Sequence, residues 1–384
     1  MKIAAIRTIA LSAPVDPPYA SASGVQSRRG GLLVEVETDT GIVGIGEAGL
    51  GGGATATVID KDLAPMLIGE DPLIIEGLWQ RMFARTRQYG RRGVVMQGIS
   101  GIDIALWDIA GKVAKMPVYQ LLGACRDRVE AYASGGFYQA ADLAGEAEGY
   151  RARGFRGMKM KIGRNPSTQT HLRELIGNKG FCEVDPEEDL ARVAAVRQAL
   201  GPHAKLMVDV NCAWSPAFAI EMGRAMEPYN LYWIEEPVAT DDIEGSARVA
   251  DALATPIAGY ETEMGLYAFR ELISRGAVDI VQLDIAWSGG FSEGRRIAAY
   301  AGAHHRMVAP HAFAGAVLLV ASLHFAAAIP NGLVLEWDQN PNAIRDELLK
   351  EPLRLESDGT VKVPERPGLG IELDRGAVER YRVG

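Results

Sequence analysis

The chain has 384 residues, of which 48% are hydrophobic and 23% are charged, values ordinary for a globular protein that can bury a full core. This length suggests two domains, or one large barrel with an attached module. The formal net charge of −9 argues against a nucleic-acid-binding protein, although a cleft can still attract an anionic substrate. Cys125, Cys182 and Cys212 form no CxxC pair, which is typical of a cytoplasmic protein without a zinc motif.

Residues 1 to about 125 predict an α+β module. The first residues make a poor signal peptide and a better strand, because polar residues soon interrupt a short apolar run. Strand-like segments, the last two joined by the turn Asp39-Thr40-Gly41, cover Lys2–Ala13, Leu32–Thr38 and Ile42–Ala48. Helical spacing of apolar residues covers Ala56–Met66, Pro72–Ala84 and Val95–Lys115.

Strand and helix patterns alternate from Val129 onwards, which predicts a (β/α)-type barrel. The eight strand candidates are Val129–Ser134, Gly157–Ile162, Lys205–Val210, Leu231–Glu235, Ile257–Glu261, Ile280–Asp284, Met307–His311 and Leu333–Glu336. We therefore expect a capping module over residues 1–125 and a barrel over residues 126–350. Residues 351–384 are rich in loops, and we expect them to pack on the capping module.

One connection is longer than the others. Gly163–Val184 is polar, follows a strand end and precedes the helix-start signal Asp185-Pro186-Glu187-Glu188. Loops of this length are usually lids, binding loops or disordered segments. We expect a contact with substrate or with another subunit, and a surface excursion is the alternative.

The segment Ala312–Ile329 has 18 residues without a full charge, which is close to membrane-spanning length. Pro310 and Pro330 bracket it, and Gly315, Ser322 and His324 interrupt it. We therefore expect a buried barrel helix rather than a membrane span, with His324 as a satisfied core residue.

Seven apolar stretches end on an ionisable residue, and after a first gap of 48 residues these residues are 23 to 27 apart. They are Lys161, Asp209, Glu235, Glu261, Asp284, His311 and Glu336. Because the carboxyl ends of barrel strands meet on one face, where catalytic groups lie, this pattern predicts a reaction centre.

Three consecutive members of this series, Asp209, Glu235 and Glu261, are carboxylates. Carboxylates gathered in one place repel one another unless a cation neutralises them, and ligation by oxygen alone suits Mg²⁺ or Mn²⁺. The alternative is that each one caps the following helix. Three strand ends in succession make that alternative less favourable.

Lys159 and Lys161 lie two residues apart, so on a strand they point to the same side. We expect each to disfavour the charge of the other, which lowers an amine pKa towards the range of a general base. A solvated surface strand is the alternative interpretation.

His311 ends the strand that follows Asp284, so the carboxylate can accept a hydrogen bond from one ring nitrogen and raise the basicity of the other. Glu336, on the last strand, could donate to a developing oxyanion if it stays protonated. With a cation stabilising the enediolate, Lys161 and His311 would handle protons on either side of one carbon. The predicted reaction is proton abstraction α to a carboxylate.

The chain resembles the enolase superfamily, and within it the mandelate-racemase-like subgroup. The matching motifs are Ser100–Asp108, Lys159-Met160-Lys161, Val208–Asn211, Trp233–Pro237, Gly259-Tyr260-Glu261, Gln282-Leu283-Asp284, Pro310-His311 and Leu335–Asp338. Similarity through Ser288–Glu293 and Pro367–Ile371 suggests the branch of sugar-acid dehydratases and galactarolactone cycloisomerase. The length of Gly163–Val184 departs from this pattern.

The resemblance implies a modified (β/α)7β barrel under an α+β cap, with a specificity loop near Tyr19–Arg29 closing on the substrate. It implies one Mg²⁺, or Mn²⁺, per subunit and a homo-oligomer between dimer and octamer. The net charge and the interrupted apolar segment argue against a nucleic-acid or membrane partner. The implied roles are Lys161 as base, His311–Asp284 as dyad and Glu336 as electrophilic acid. Asp209, Glu235 and Glu261 are implied as metal ligands, and Lys159, Glu336 and Asn211 as substrate-binding groups, with Asn211 alternatively a polar group on the metal side.

Three interpretations of function follow. The first is a Mg²⁺-dependent dehydratase of an aldonic or aldaric acid, and the second is a racemase, epimerase or lactone cycloisomerase with the same residues. The third is a non-catalytic scaffold on an inherited barrel. A scaffold would be expected to have lost a site residue, yet every position is filled.

Overall fold

The computed structural model describes residues 1–49, 52–137, 142–163 and 185–383. Its first part is an antiparallel sheet of β1 (Ile3–Ser21), β2 (Gly24–Thr38) and β3 (Val43–Glu47). Strand β1 runs further than the predicted Lys2–Ala13, because pairing with β2 resumes after an irregularity between Pro14 and Tyr19. Three prolines in that stretch hide the strand from sequence patterns, since proline cannot donate to a ladder.

Helices of the N-terminal part cover this sheet. They are α1 (Gly53–Val58), extended by a π-helical turn Ile59–Leu63 and a 3₁₀ turn Ala64–Met66, then α2 (Ile75–Thr86), α3 (Val94–Ala114) and α4 (Val118–Leu121). A Cβ added at Gly44 or Gly46 would lie 2.1 or 2.0 Å from a carbonyl oxygen of α3. Glycine at these two positions therefore lets β3 contact the helix backbone directly.

Helix α3 is the one helix in the described part of the chain that is long and apolar enough to cross a membrane. In the structure, 78% of its most apolar 18-residue stretch is buried inside the protein. Its side chains lie against the sheet and against the barrel, so α3 is a core helix.

Eight parallel strands form the second part. They are β4 (Arg128–Ser134), β5 (Gly157–Lys161), β6 (Lys205–Asp209), β7 (Trp233–Glu235), β8 (Ile257–Gly259), β9 (Ile280–Val281), β10 (Met307–Val308) and β11 (Leu335–Asp338). They pair in chain order from β4 to β10, and β11 lies beside β4. A bridge between Val308 and Gly332 joins the two edges and closes the barrel. The predicted barrel and its eight strands are confirmed, although several strands are shorter than expected.

Helices alternate with these strands. They are α5 (Leu143–Ala152), α6 (Pro186–Leu200), α7 (Pro216–Met226), α8 (Ile243–Ala252), α9 (Leu266–Ser274), α10 (Gly290–Ala303) and α11 (Ala316–Ala328). Asp142, Asp185, Ser215 and Asp242 each cap a helix by accepting a backbone N–H three residues later. The predicted start of a helix at Asp185 is confirmed.

Acidic side chains from the N-terminal part fasten it to the barrel. Glu47 on β3 accepts hydrogen bonds of 2.8 Å from the backbone N–H groups of Gly315 and Leu318, at the start of α11. Asp103 on α3 accepts from the backbone N–H (3.0 Å) and hydroxyl (2.6 Å) of Ser292, at the start of α10. Helix N-termini have free N–H groups and partial positive charge, so these carboxylates are well matched to them.

All 13 residues of α11 are buried, which confirms the prediction for Ala312–Ile329. His324 lies in this helix and is fully buried. The backbone N–H of Tyr119 donates to its Nδ1 at 3.1 Å, and its Nε2 lies 3.1 Å from the carbonyl oxygen of Leu369. Because Nδ1 accepts, Nε2 carries the proton and the ring is neutral.

The last part of the chain contains α12 (Ala343–Asp346), β12 (Thr360–Lys362) and α13 (Arg375–Tyr381). Strand β12 pairs antiparallel with β4 of the barrel, and a bridge joins Leu11 to Arg382. The tail thus contacts both parts. The expected division at residues 125 and 350 stays a prediction, and the predicted contact through Gly163–Val184 lies outside the described residues apart from Gly163 itself.

Burial lowers the pKa of His324 to about 4, against about 6.5 in an unfolded chain. Between pH 4 and pH 6.5 the histidine of the unfolded chain binds a proton, whereas the buried His324 of the native protein stays neutral. The free energy of unfolding should therefore fall as the pH drops from 6.5 to 4, by up to about 3 kcal/mol.

The measurement is urea denaturation across this pH range. His324→Gln should flatten the pH dependence by about one proton, and the exposed His203→Gln should leave it unchanged. An unaltered slope in His324→Gln would contradict this account.

Candidate active site

Lys159 and Lys161 lie on β5 and point into the same end of the barrel, as predicted. Both are buried, and each contacts a carboxylate rather than the other lysine. Lys159 Nζ contacts Glu235 and lies 2.9 Å from Glu336 Oε1, while Lys161 Nζ contacts Asp209.

The expected lowering of the Lys161 pKa is not seen. Burial alone would lower it, but the adjoining Asp209 carboxylate outweighs burial and raises the Lys161 pKa above its ordinary value. The sequence shows the two like charges on one strand and does not show the acids opposite them. In the structure those acids raise the Lys161 pKa, whereas the two like charges alone would lower it.

Asp209, Glu235 and Glu261 lie at or just beyond the ends of the adjacent strands β6, β7 and β8. Asp209 Oδ1 accepts the backbone N–H of Asn211 at 2.8 Å, and Glu235 Oε2 accepts the side chains of Trp233 at 3.0 Å and Gln282 at 2.8 Å. These bonds fix one oxygen of Asp209 and one of Glu235. The remaining oxygens face the lysines.

Negative charge exceeds positive charge at this end of the barrel. Among the described residues of the cluster, six acids (Asp209, Glu235, Glu236, Glu261, Asp284 and Glu336) meet three basic groups (Lys159, Lys161 and His311). Burial, reinforced by neighbouring carboxylates, raises the pKa of Glu235 to about 7 and that of Glu236 well above its usual range. A bound divalent cation would relieve this excess.

The donor set fits Mg²⁺ or Mn²⁺, since every candidate ligand atom is a carboxylate oxygen. Glu261 Oε2 is buried and has no hydrogen-bond partner in the described parts of the chain, as expected of an oxygen reserved for a ligand. Within those same parts, no three His, Cys, Asp or Glu side chains would hold a metal ion as they stand. Asp209 and Glu235 would have to turn from the lysines towards the ion.

His311 follows β10, and its Nδ1 lies 2.7 Å from Asp284 Oδ2, as predicted for the dyad. Asp284 is fixed in turn by the backbone N–H of Ala286, which donates to its other oxygen at 2.7 Å. Burial opposes the charge on His311, but Glu261, Glu336 and Asp284 outweigh it and raise its pKa to about 10. His311 is therefore an imidazolium that can give up a proton from Nε2.

Glu336 is positioned by the backbone N–H of Ala312, which donates to Oε2 at 3.0 Å. Burial favours its protonated form, but Lys159 and His311 outweigh burial and hold the pKa of Glu336 well below its usual range. The structure therefore contains a carboxylate here, where the sequence suggested a protonated acid. Its role as an electrophile stays a prediction that depends on Lys159 engaging another group.

Aromatic rings cover Lys161. Its Nζ lies 5.4 Å from the ring centre of Phe137 and 5.6 Å from that of Phe313. Tyr19 packs edge-on against both rings, and the Arg29 guanidinium lies 3.8 Å above Phe313. The β1–β2 hairpin, which holds Tyr19 and Arg29, thus reaches the barrel mouth, where the family resemblance implies a specificity loop.

Sequence reasoning missed two features of the site. Arg29 forms a buried ion pair with Asp338, at the end of β11, that crosses from the N-terminal part to the barrel. Glu236 is buried beside the predicted metal ligands, although strand alternation places it on the opposite side from Glu235. A left-handed backbone, with φ of 44°, turns it back, and no sequence pattern signals that conformation.

The fold and the site define a barrel enzyme with acid–base chemistry at the carboxyl ends of its strands. Residues 4–123 match the N-terminal domain model of mandelate racemase / muconate lactonizing enzyme, and residues 142–377 match the enolase C-terminal domain-like model. The chain belongs to the mandelate racemase / muconate lactonizing enzyme family of the enolase superfamily.

Two relatives and one solved structure show how far the similarity extends. Arabinonate dehydratase of Saccharolobus solfataricus is 40% identical, over 91% of this chain and 90% of that protein. D-galactarolactone cycloisomerase of Agrobacterium fabrum is 38% identical, over 100% of this chain and 99% of that protein. A racemase from Streptomyces coelicolor A3(2), solved with bound magnesium, aligns with a TM-score of 0.87 at 33% identity, over 99% of this chain and 100% of the other.

Replacing Arg29 by Met should destabilise the protein by about 3–5 kcal/mol, because Asp338 would remain buried without its main partner. The double variant Arg29→Met/Asp338→Asn should lose less than the sum of the two single changes. Urea denaturation of all three variants measures this.

The exposed pair of Lys350 and Glu372 provides the control, and Lys350→Met should cost less than about 1 kcal/mol. Strict additivity of the Arg29 and Asp338 changes would show that the two groups do not interact.

Proposed function

We propose that this enzyme is a divalent-cation-dependent dehydratase of an acid sugar. It removes the proton on C2, α to the carboxylate, and expels the C3 hydroxyl as water. The observation that carries the proposal is the position of Lys161 at the end of β5 and of His311 after the non-adjacent strand β10, with the carboxylate cluster between them.

In the first step, Lys161 as a neutral amine accepts the C2 proton, and the C2–H electron pair moves into the carboxylate to give an enediolate. Asp209, Glu235 and Glu261 would hold a Mg²⁺ ion, which when bound would supply the positive charge that stabilises the enediolate oxygens. With Asp209 turned towards the ion, Lys161 would lose the carboxylate that keeps it protonated. Burial of Lys161 favours the neutral amine once the Asp209 carboxylate no longer opposes it.

In the second step, the enediolate electron pair forms the C2–C3 double bond, and the C3–O bond breaks. His311 gives its Nε2 proton to the departing hydroxyl, which leaves as water. Asp284 keeps the ring oriented throughout through the bond to Nδ1. The enol then becomes a 2-keto-3-deoxy acid.

Lactone cycloisomerisation is the second candidate, favoured by the similarity to D-galactarolactone cycloisomerase along the full chain. Lys161 would again remove the proton next to the carboxylate, and His311 would protonate a ring oxygen instead of a hydroxyl. A racemase or epimerase would use the same two groups to remove and return a proton.

Further parts of the proposal concern the assembly. The enzyme binds one cation per subunit, with Mn²⁺ able to replace Mg²⁺, and works as a homo-oligomer in the cytoplasm on a small-molecule carboxylate. Residues 1–125 form the cap, 126–350 the catalytic barrel and 351–384 a tail. Lys159, Asn211 and Glu336 bind the substrate, and Tyr19–Arg29 contributes to specificity.

Aldonic acids, aldaric acids and their lactones should be screened in ²H₂O with Mg²⁺, recording C2 proton exchange by NMR together with 2-keto products. A chelator should abolish both signals, and added Mg²⁺ or Mn²⁺ should restore them. A lactone that isomerises without forming a keto acid would favour the second candidate. Neither exchange nor product from any compound would contradict the proposal.

Two variants separate the steps. Lys161→Ala should lose exchange and product formation alike, by about 10²–10⁴-fold, because nothing else removes the C2 proton. His311→Asn should keep exchange and lose product formation, because only departure of the hydroxyl needs the imidazolium. Lys205→Ala, which removes a half-buried lysine at the start of β6, is the matched control and should keep both.

A further inference from the structure

We propose that Glu236 supplies a further oxygen to the divalent cation of this site, with the amide oxygen of Asn211 beside it. This rests on the proposed function, because the cation is the one assigned to Asp209, Glu235 and Glu261. All groups involved present oxygen, so the ligand is a hard divalent ion such as Mg²⁺ or Mn²⁺.

The first observation is a small polar cavity. It has a volume of about 310 Å³ and opens beside the ends of β6, β7 and β8. Asn211 Oδ1, Glu236 Oε1 and Glu261 Oε2 belong to residues that line it. Each of these three oxygens is buried and has no hydrogen-bond partner in the described ranges of the chain.

Three such oxygens in one cavity need an explanation, because a buried polar atom without a partner is unfavourable and rare. Glu236 has only 2% of its surface exposed, and its other oxygen, Oε2, meets the Cys212 thiol at 3.5 Å. Among the residues that the structure describes, none forms an ion pair with Glu236. A cation in the cavity would satisfy all three oxygens together.

The backbone turns these side chains into the cavity. Asn211, Cys212 and Glu236 are non-glycine residues with left-handed φ of 47°, 62° and 44°. A hydrogen bond of 2.8 Å from the backbone N–H of Cys212 to the carbonyl oxygen of Glu236 ties the two turns together. Residues held in such conformations cluster at functional sites.

The orientation of the Asn211 amide follows from its neighbour. Its Nδ2 donates to Asp209 Oδ2 at 3.2 Å, which leaves Oδ1 to face the cavity. Asn211 therefore joins the predicted ligand Asp209 to the same space as Glu236.

Glu263 lines the same cavity but differs from Glu236 because it has a basic partner. Its Oε2 accepts from Arg92 at 2.9 Å, so its charge is balanced. Glu263→Gln thus removes one negative charge from the cavity without removing an unpartnered oxygen. It is a matched control for any effect of charge alone.

Metal-free protein should be titrated with Mn²⁺, following the free ion by electron paramagnetic resonance. Glu236→Gln should weaken Mn²⁺ binding by about 10- to 100-fold, the range seen when groups around a metal are removed. Glu263→Gln should change the dissociation constant less than about threefold, since its charge is already balanced. Equal dissociation constants for Glu236→Gln and wild type, or an equal loss in both variants, would overturn the inference.

Thermal unfolding gives a second readout that does not depend on activity. Metal-free Glu236→Gln should unfold at a higher temperature than metal-free wild type, because folding forces the buried Glu236 either to stay charged without an ion pair or to take up a proton, and glutamine does neither. Adding Mn²⁺ should raise the unfolding temperature of wild type more than that of the variant. An equal rise in both would overturn the inference.

If Glu236→Gln does not fold, Asn211→Gly keeps the left-handed backbone and removes the neighbouring oxygen. It should also weaken Mn²⁺ binding, and unchanged binding would overturn the inference. The proposed function fails separately. In that case wild type itself would bind no Mn²⁺, or Asp209→Asn would bind it as tightly as wild type.

Discussion

The excess of acidic over basic side chains at the mouth of the barrel is the constraint on which the rest of the site depends. Lys159 and Lys161 each contact one carboxylate, and His311 lies between Asp284 and Glu261. The acids are buried at neighbouring strand ends, so they cannot reduce their repulsion by moving into water. Their charge must instead be balanced by protons or by a cation, so binding of a cation there would change the protonation of Lys161 and His311.

Carboxylates that lie beside positive charge also fasten the N-terminal part to the barrel. The carboxylates of Glu47 and Asp103 accept hydrogen bonds at the N-termini of α11 and α10, and Asp338 forms an ion pair with Arg29. These contacts lie around the barrel mouth that carries the proposed catalytic residues. Attachment of the N-terminal part therefore also brings Tyr19 and Arg29 beside the rings that surround Lys161.

Much of the fold and of the candidate site could be predicted from the sequence. Alternating strand and helix patterns predicted the barrel and its eight strands, because each pattern depends on local geometry. The ionisable residues that end these strands were expected together on one face, since parallel strands all end there. The length of β1 was not predicted, because Pro14, Pro17 and Pro18 mask a ladder that depends on β2.

The sequence by itself determined which chemical groups meet at the mouth of the barrel and in what order around it, because strand alternation and chain order fix both. The tertiary structure decided how those groups are paired, and with this the direction of each pKa. Asp209 raises the Lys161 pKa, Lys159 keeps Glu336 ionised, and a left-handed backbone turns Glu236 inwards. Electrostatic energy depends on distances between side chains that are remote in sequence, and only the folded chain sets those distances.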